Sequence, residues 1–126
     1  MAVTTPQELS AAFGAAVNAG DLATALELWT EDAVIVQPDG QTVRGRDAIA
    51  AALRALVEHE VRIDIHVEHT VTAGDIAVAS GSLTMSGTGA DGRAFNQRSD
   101  SIVVYSRAAD GLWRLAIDAP WGLPRR

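Results

Sequence analysis

The clearest fold signal in the chain is a pair of alternating segments, RSDSIVVY (residues 98–105) and WRLAID (residues 113–118). Between them residues 109–111, with the sequence ADG, predict a tight turn, because Asp and Gly favour the backbone angles that such turns require. Both segments place side chains of one kind at every second position, which is the period of a strand with two different faces. We therefore predict a β-hairpin that forms the last two strands of a sheet.

Two carboxyl groups lie on largely apolar faces of this predicted hairpin. Strict alternation puts Asp100 on the face of Ile102 and Val104, and it puts Asp118 on the face of Ala116. Ionisable groups in such positions are either paired with an opposite charge or belong to a functional site. The surroundings of the two carboxyl groups distinguish these explanations.

The first explanation is an ion pair with Arg98 or Arg114, which share the same strand faces. In the second, Asp100 and Asp118 line one dry cavity. Mutual repulsion and desolvation would then raise the pKa of at least one carboxyl group, which places an acid beside a base.

Length and composition indicate one domain over residues 1–126, with 48% hydrophobic and 21% charged residues. The net charge is −6 and the basic residues are scattered, which argues against nucleic acid and membrane surfaces as partners. There is no cysteine, so disulfides and thiolate chemistry are excluded. No apolar run reaches membrane-spanning length and no secretory leader is recognisable, so we expect a cytoplasmic protein.

Three amphipathic helices are predicted before the long strands. Their N-caps are Thr5, Asp21 and Asp47, residue types whose side chains bond the free amides of a first turn. Their apolar stripes recur every three or four residues. These stripes are Leu9, Phe13 and Val17 in the first helix, Leu22, Leu26 and Trp29 in the second, and Ile49, Leu53, Leu56 and Val57 in the third.

The strands follow a period of two. Short strands are predicted at residues 33–37 and 41–44, and long ones at residues 61–68 and 76–86, before the hairpin. Helices followed by a run of strands indicate an α+β fold. We expect a curved antiparallel sheet of about four long strands, plus short ones, packed against three N-terminal helices.

A metal site and a cofactor site are not expected. His66, Glu68 and His69 suggest a metal-binding motif, but residues three apart on a strand point to opposite faces, so the two imidazoles diverge. No phosphate-binding glycine loop or dinucleotide-binding motif occurs.

With this order of elements, five short motifs resemble those of the nuclear transport factor 2-like superfamily, in particular its SnoaL-like and ketosteroid-isomerase-like members. The resemblance extends over nearly the whole chain and implies a cone of curved sheet closed by three helices, an apolar pocket inside it, and a homodimer. The motifs are VNAGD (residues 17–21), EDA (31–33), QPDG (37–40), GRDAI (45–49) and DGLWR (110–114).

The resemblance also assigns roles to positions of this chain. The place of the general base in steroid isomerases of this fold is Gln37, which cannot abstract a proton at neutral pH. The place of the phenol is Phe13, and the place of the protonated acid is Asp100. Steroid isomerisation by that mechanism is therefore not expected, and Asp118 is the candidate for a displaced base.

The resulting hypothesis is an acid-base isomerase or cyclase acting on a carbonyl-bearing small molecule, with Asp100 as neutral acid and Asp118 as base. The alternative is a non-catalytic module that binds an apolar small molecule or a second copy of itself. Trp113 is a candidate for a subunit interface and Trp121 for a lid. The predicted pocket-lining residues are Phe13, Val17, Trp29, Gln37, Leu53, Ile65, Ser82, Arg98, Ile102, Ala116 and Trp121.

Overall fold

The structure, a computed structural model, describes residues 3–123. A 3-10 turn at Pro6–Glu8 leads into the first of three helices, and six strands complete the fold. None of the helices in this range is long and apolar enough to cross a bilayer. The helices are α1 (Leu9–Asn18), α2 (Leu22–Glu27) and α3 (Arg46–Glu58), and the strands are β1 (Trp29–Val36), β2 (Thr42–Arg44), β3 (Arg62–Ala73), β4 (Ile76–Thr88), β5 (Ala94–Arg107) and β6 (Trp113–Ala119).

The six strands form one sheet in the order β2-β1-β6-β5-β4-β3. Strands β3 to β6 make a meander of antiparallel neighbours, while β1 pairs with β6 in parallel. The three helices precede the meander and pack on one face of the sheet. The predicted α+β fold class is confirmed.

The core lies between the helices and this inner face of the sheet. Both the helices and the strands contribute residues to this core, so the helices and the sheet pack directly against each other. The largest fully buried side chains are Trp29, Tyr105, Leu9, Leu28, Ile49 and Leu53.

Two polar side chains fix the first helices as their residue types predict. Asp21 caps α2, accepting hydrogen bonds from the Thr24 amide (3.1 Å) and hydroxyl (2.7 Å), which lower the pKa of its carboxyl group. Asn18, at the end of α1, donates to the Ile63 carbonyl (2.7 Å) and accepts from the Ile63 amide (2.9 Å). These two hydrogen bonds of Asn18 tie the end of α1 to the start of β3.

Two sequence predictions about the helices are wrong. Helix α2 ends at Glu27, and Trp29 is the first residue of β1. Asp47 lies in the first turn of α3, whose N-cap is Gly45 with φ of 85°. In both cases the sequence spacing fits either assignment, and packing against the sheet selects the observed one.

A β-bulge in β3 bends the sheet near its middle. Val67 pairs with Gly81 and His69 pairs with Ser80, so Glu68 is an extra residue without a partner. A Cβ atom at Gly81 would lie only 2.0 Å from the carbonyl oxygen of His66. Only glycine fits at this close approach of β4 to β3.

Candidate functional site

A cavity of about 190 Å³ lies between the helices and the inner face of the sheet. Its walls are mainly aliphatic and aromatic, with two serine hydroxyls and one carboxyl group among them. The lining residues are Ser10, Phe13, Trp29, Ile35, Ala52, Leu53, Leu56, Ile63, Ile65, Leu83, Met85, Ser101, Val103, Leu115, Asp118 and Pro120.

A one-residue bulge in β6 brings Asp118 into this cavity. Tyr105 pairs with Leu115 and Val104 pairs with Ile117, so Ala116 has no partner on β5. The extra residue reverses the alternation beyond it, because side chains change face at every position of a strand. Asp118 therefore points inward, and the prediction that it shares a face with Ala116 is wrong.

Of the side chains that the structure describes, Asp118 is the only titratable one that lines the cavity. Burial among apolar walls disfavours the charged form and raises the pKa of Asp118 from 3.8 to about 7. The alternative of an ion pair with Arg114 does not hold, because Arg114 binds Asp110 through Nη2 and Oδ2 at 2.9 Å. Asp118 is thus a carboxyl group that can either give or take a proton near neutral pH.

Tyr105, which was not among the predicted site residues, contacts Ser10, one of the two serines of the cavity. The Tyr105 hydroxyl shares a hydrogen bond of 2.5 Å with Ser10 Oγ, and both residues are buried. Burial raises the pKa of Tyr105, and the nearby Asp118 charge raises it further. The phenol therefore stays protonated and can donate to Ser10, which leaves the Ser10 proton free for a ligand.

Two aromatic rings form one wall of the cavity. Phe13 from α1 meets Trp29 from β1 edge to face, with ring centroids 5.4 Å apart and planes at 81°. The indole N–H of Trp29 is buried and has no hydrogen-bond partner. Such an unsatisfied donor costs about 1–3 kcal/mol, which an acceptor reaching the ring edge would offset.

The sequence of the chain matches the family model described as the SnoaL-like domain over residues 10–116, which is most of its length. The chain belongs to the SnoaL-like domain family. No sequence among functionally curated proteins matches it. The nuclear transport factor 2-like superfamily suggested by the sequence motifs is confirmed by the family match and by solved structures of the same fold.

Three solved structures illustrate the fold of this SnoaL-like domain. A ketosteroid isomerase-like protein from Erwinia carotovora atroseptica is 20% identical with a TM-score of 0.77, covering 90% of this chain and 89% of that one. An NTF2-like protein from Novosphingobium aromaticivorans is 25% identical with a TM-score of 0.73, covering 89% and 75%. A protein with a cystatin-like fold from Caulobacter vibrioides is 23% identical with a TM-score of 0.75, covering 90% and 83%. These similarities establish the architecture and leave the chemistry to the residues of the cavity.

In this SnoaL-like domain the two predicted catalytic carboxyl groups are not brought together. Asp100 pairs with Ser82 on the outer face of the sheet and is exposed, together with Arg98. The residues of β5 that face inward are Ser101, Val103 and Tyr105. The prediction that Asp100 and Asp118 share one cavity is wrong, because the apolar neighbours of Asp100 belong to the outer face.

The other predicted pocket residues divide in the same way. Phe13, Trp29, Leu53 and Ile65 line the cavity. The remaining predictions of pocket lining are wrong. Val17 lies in the core beyond the cavity, and Ala116 is the bulge residue of β6. The outer sheet face carries Ser82, Arg98 and Ile102, and an adjoining surface recess contains Gln37 and Trp121.

That recess lies next to the end of the cavity that contains the Asp118 carboxyl group. Gln37, Pro38 and Trp121 line it, and Ile35 and Pro120 belong to both the recess and the cavity. The segment after β6 is held there by a hydrogen bond from Ser99 Oγ to the Pro120 carbonyl at 2.5 Å.

The inward residues that the sequence analysis missed carried a usable signal. Val103 and Tyr105 share one face of β5, and the large apolar ring of Tyr105 makes this face as good a candidate for the core as the opposite one. That signal was masked by Ile102 and Val104 on the opposite face. Within residues 3–123 no cluster of three or more His, Asp or Glu side chains is arranged to hold a metal ion.

Proposed function

We propose that this SnoaL-like domain binds a small carbonyl compound in its cavity and moves a proton on it, as an isomerase or cyclase does. The observation that carries the proposal is Asp118, a lone carboxyl group in an apolar cavity. As carboxylate it takes a proton from the carbon next to the carbonyl group, and as acid it returns the proton to another carbon. A pKa of about 7 keeps both forms available.

The developing charge on the carbonyl oxygen needs a donor, and the Ser10 hydroxyl supplies it in this proposal. The Tyr105 hydroxyl and Ser10 Oγ share a hydrogen bond, and with Tyr105 as its donor the pair takes the place of the phenol that Phe13 lacks. Hydrogen bonds in a water-poor cavity stabilise such an oxyanion more than they would in water. In this proposal the cavity thus contains one base, Asp118, and two linked hydroxyl groups, Tyr105 and Ser10, that supply a hydrogen bond to the ligand.

The test is hydrogen exchange at the carbons next to the carbonyl group of cyclohexanone in D₂O, followed by proton NMR. We expect the wild-type protein to accelerate exchange, with a rate that rises as Asp118 ionises near pH 7. Asp118→Asn should reduce the acceleration by about a hundredfold or more, the usual loss when a general base is removed.

Asp100→Asn is the matched control, because it makes the same change on the outer face of the sheet. It should exchange like the wild type. Equal exchange by the wild type and Asp118→Asn would overturn the base role. Binding of cyclohexanone without any exchange would support the alternative of a non-catalytic binding module.

We also propose that two copies of the chain pair through the outer sheet face. Val71, Val78, Val104 and Ile117 are direct neighbours across four strands and form one apolar row. Three of them are strongly exposed, at 65%, 41% and 40% for Val71, Val78 and Ile117. An exposed row of β-branched side chains fits the same row on a second copy related by a two-fold axis.

Val78→Lys should therefore convert a dimer to a monomer, because it places a charge in the middle of the apolar row. Sedimentation or light scattering measures the mass of both forms. Ala51→Lys, on the exposed side of α3, is the control and should keep the wild-type mass. A monomeric wild type would refute this interface.

A further inference from the structure

We infer that the ligand of the cavity is an uncharged compound with a single ring and one acceptor oxygen, and that polycyclic and anionic compounds are excluded. This inference rests on the cavity of the proposed function and specifies its substrate class. It follows from three properties of the cavity, namely its volume, the charges in its wall and the hydrogen-bonding groups that face the ligand.

The volume limits the ligand to one ring. A dry protein cavity of about 150 Å³ lined by Leu, Ile and Phe holds one benzene molecule. The cavity here measures about 190 Å³, which leaves room for a ring and a few further atoms. Pockets that hold drug-sized ligands measure about 300–1,000 Å³. A steroid or other fused-ring skeleton does not fit unless the walls move.

Anions are excluded by the charges of the wall. Among residues 3–123 no Arg or His side chain lines the cavity, and the one titratable group that these residues place there is itself an acid. Arg46 lines a separate surface cleft near Trp29 and donates to the Leu26 carbonyl at 3.1 Å. Because an unpaired charge in an apolar cavity is strongly disfavoured, carboxylates, phosphates and phosphate-bearing carriers do not bind there.

An acceptor oxygen is required by the polar groups that do line the cavity. When the Tyr105 hydroxyl donates to Ser10 Oγ, the Ser10 proton is free for a ligand, and Ser101 adds a second hydroxyl. The protonated form of Asp118 is a third donor. A hydrocarbon offers these donor protons no acceptor, whereas a ketone or a similar oxygen accepts from one or two of them.

Binding rather than turnover tests this inference, using calorimetric titration of five probes: cyclohexanone, 2-decalone, a tetracyclic androstane ketone, cyclohexanecarboxylate and cyclohexylamine. We expect cyclohexanone to bind and 2-decalone to bind about tenfold more weakly or worse, because a second ring overfills the cavity. The tetracyclic ketone and the carboxylate should give no binding signal. Affinity for cyclohexanone should fall as the pH rises through 7, when Asp118 loses the proton it donates.

Two variants at one wall position sharpen the size limit. Met85 lines the cavity and is only partly buried, so Met85→Ala should enlarge the space and bring 2-decalone to the affinity of cyclohexanone. Met85→Leu conserves volume and should keep the wild-type preference. If Met85→Ala fails to fold, Leu56→Ala enlarges the same cavity from α3.

The outcomes separate this inference from the proposed function. Tight binding of the tetracyclic ketone or the carboxylate by the wild type would overturn the ligand class, even if Asp118 catalyses exchange. Stronger binding of cyclohexylamine than of cyclohexanone above pH 7 would also overturn it, since the ligand would then be a cation. Selective binding of cyclohexanone without exchange would support the ligand class while refuting the catalytic role of Asp118.

Discussion

The wild-type protein should lose stability relative to an Asp118→Asn variant by on the order of 4 kcal/mol as the pH rises from about 4 to about 8. The physical reason is the pKa of Asp118, which burial raises from 3.8 to about 7. Between these two values the native carboxyl group keeps its proton while the unfolded one has lost it. The unfolded state then binds fewer protons, so the free energy of unfolding falls with rising pH.

Asparagine has nearly the shape of the protonated acid and cannot ionise, so the variant should lack this part of the pH dependence. Urea unfolding of both proteins across the pH range gives the two stability profiles. Their difference isolates Asp118, because the carboxyl groups of Asp21 and Asp110, whose pKa values are lowered, are common to both proteins. Asp100→Asn should follow the wild type, and parallel profiles for the wild type and Asp118→Asn would contradict the burial of this carboxyl group.

Gly81→Ala should destabilise the protein by about 3 kcal/mol, the upper part of the usual range for overpacking. The new Cβ atom would lie 2.0 Å from the His66 carbonyl oxygen, which is backbone and cannot turn away as a side chain could. To relieve this clash, β4 has to move away from the bulge in β3, which weakens the hydrogen bonds between these two strands. Thermal unfolding should show a midpoint lowered by roughly 10 °C.

Gly14→Ala provides the matched control for that prediction. Gly14 lies inside α1, and a Cβ atom there would meet Ile65 Cδ1 at an ordinary 3.7 Å. Alanine favours the helix, so this variant should be as stable as the wild type or up to about 1 kcal/mol more stable. Equal unfolding midpoints for both variants would show that the approach of the strands at Gly81 can relax.

The elements of this fold follow from short-range patterns that the sequence displays. A period of two marks β3 to β6, and the Asp21 cap and the Gly20-Asp21 junction mark the break between α1 and α2. The fold class follows from the order of these elements. Trp29 is an exception, because its spacing of three from Leu26 fits a helix although the residue begins β1.

The site was harder to predict, because alternation separates two faces of a strand without saying which one is inside. On β5 both faces carry large apolar residues, since Ile102 and Val104 contribute to an outer surface while Val103 and Tyr105 face the core. Asp100 was consequently assigned to the wrong side. Its position depends on the packing of the helices, which no local pattern records.

The bulge at Ala116 has an evolutionary consequence. Because every residue beyond an insertion or deletion in a strand changes face, loss of this one codon would turn the Asp118 side chain outward while leaving the aspartate itself unaltered. A single-residue deletion could thus remove the acid from the interior, and the reverse insertion could restore it. Among descendants of such a chain, the presence of an aspartate in an alignment column would say less about chemistry than the count of residues between Trp113 and that aspartate.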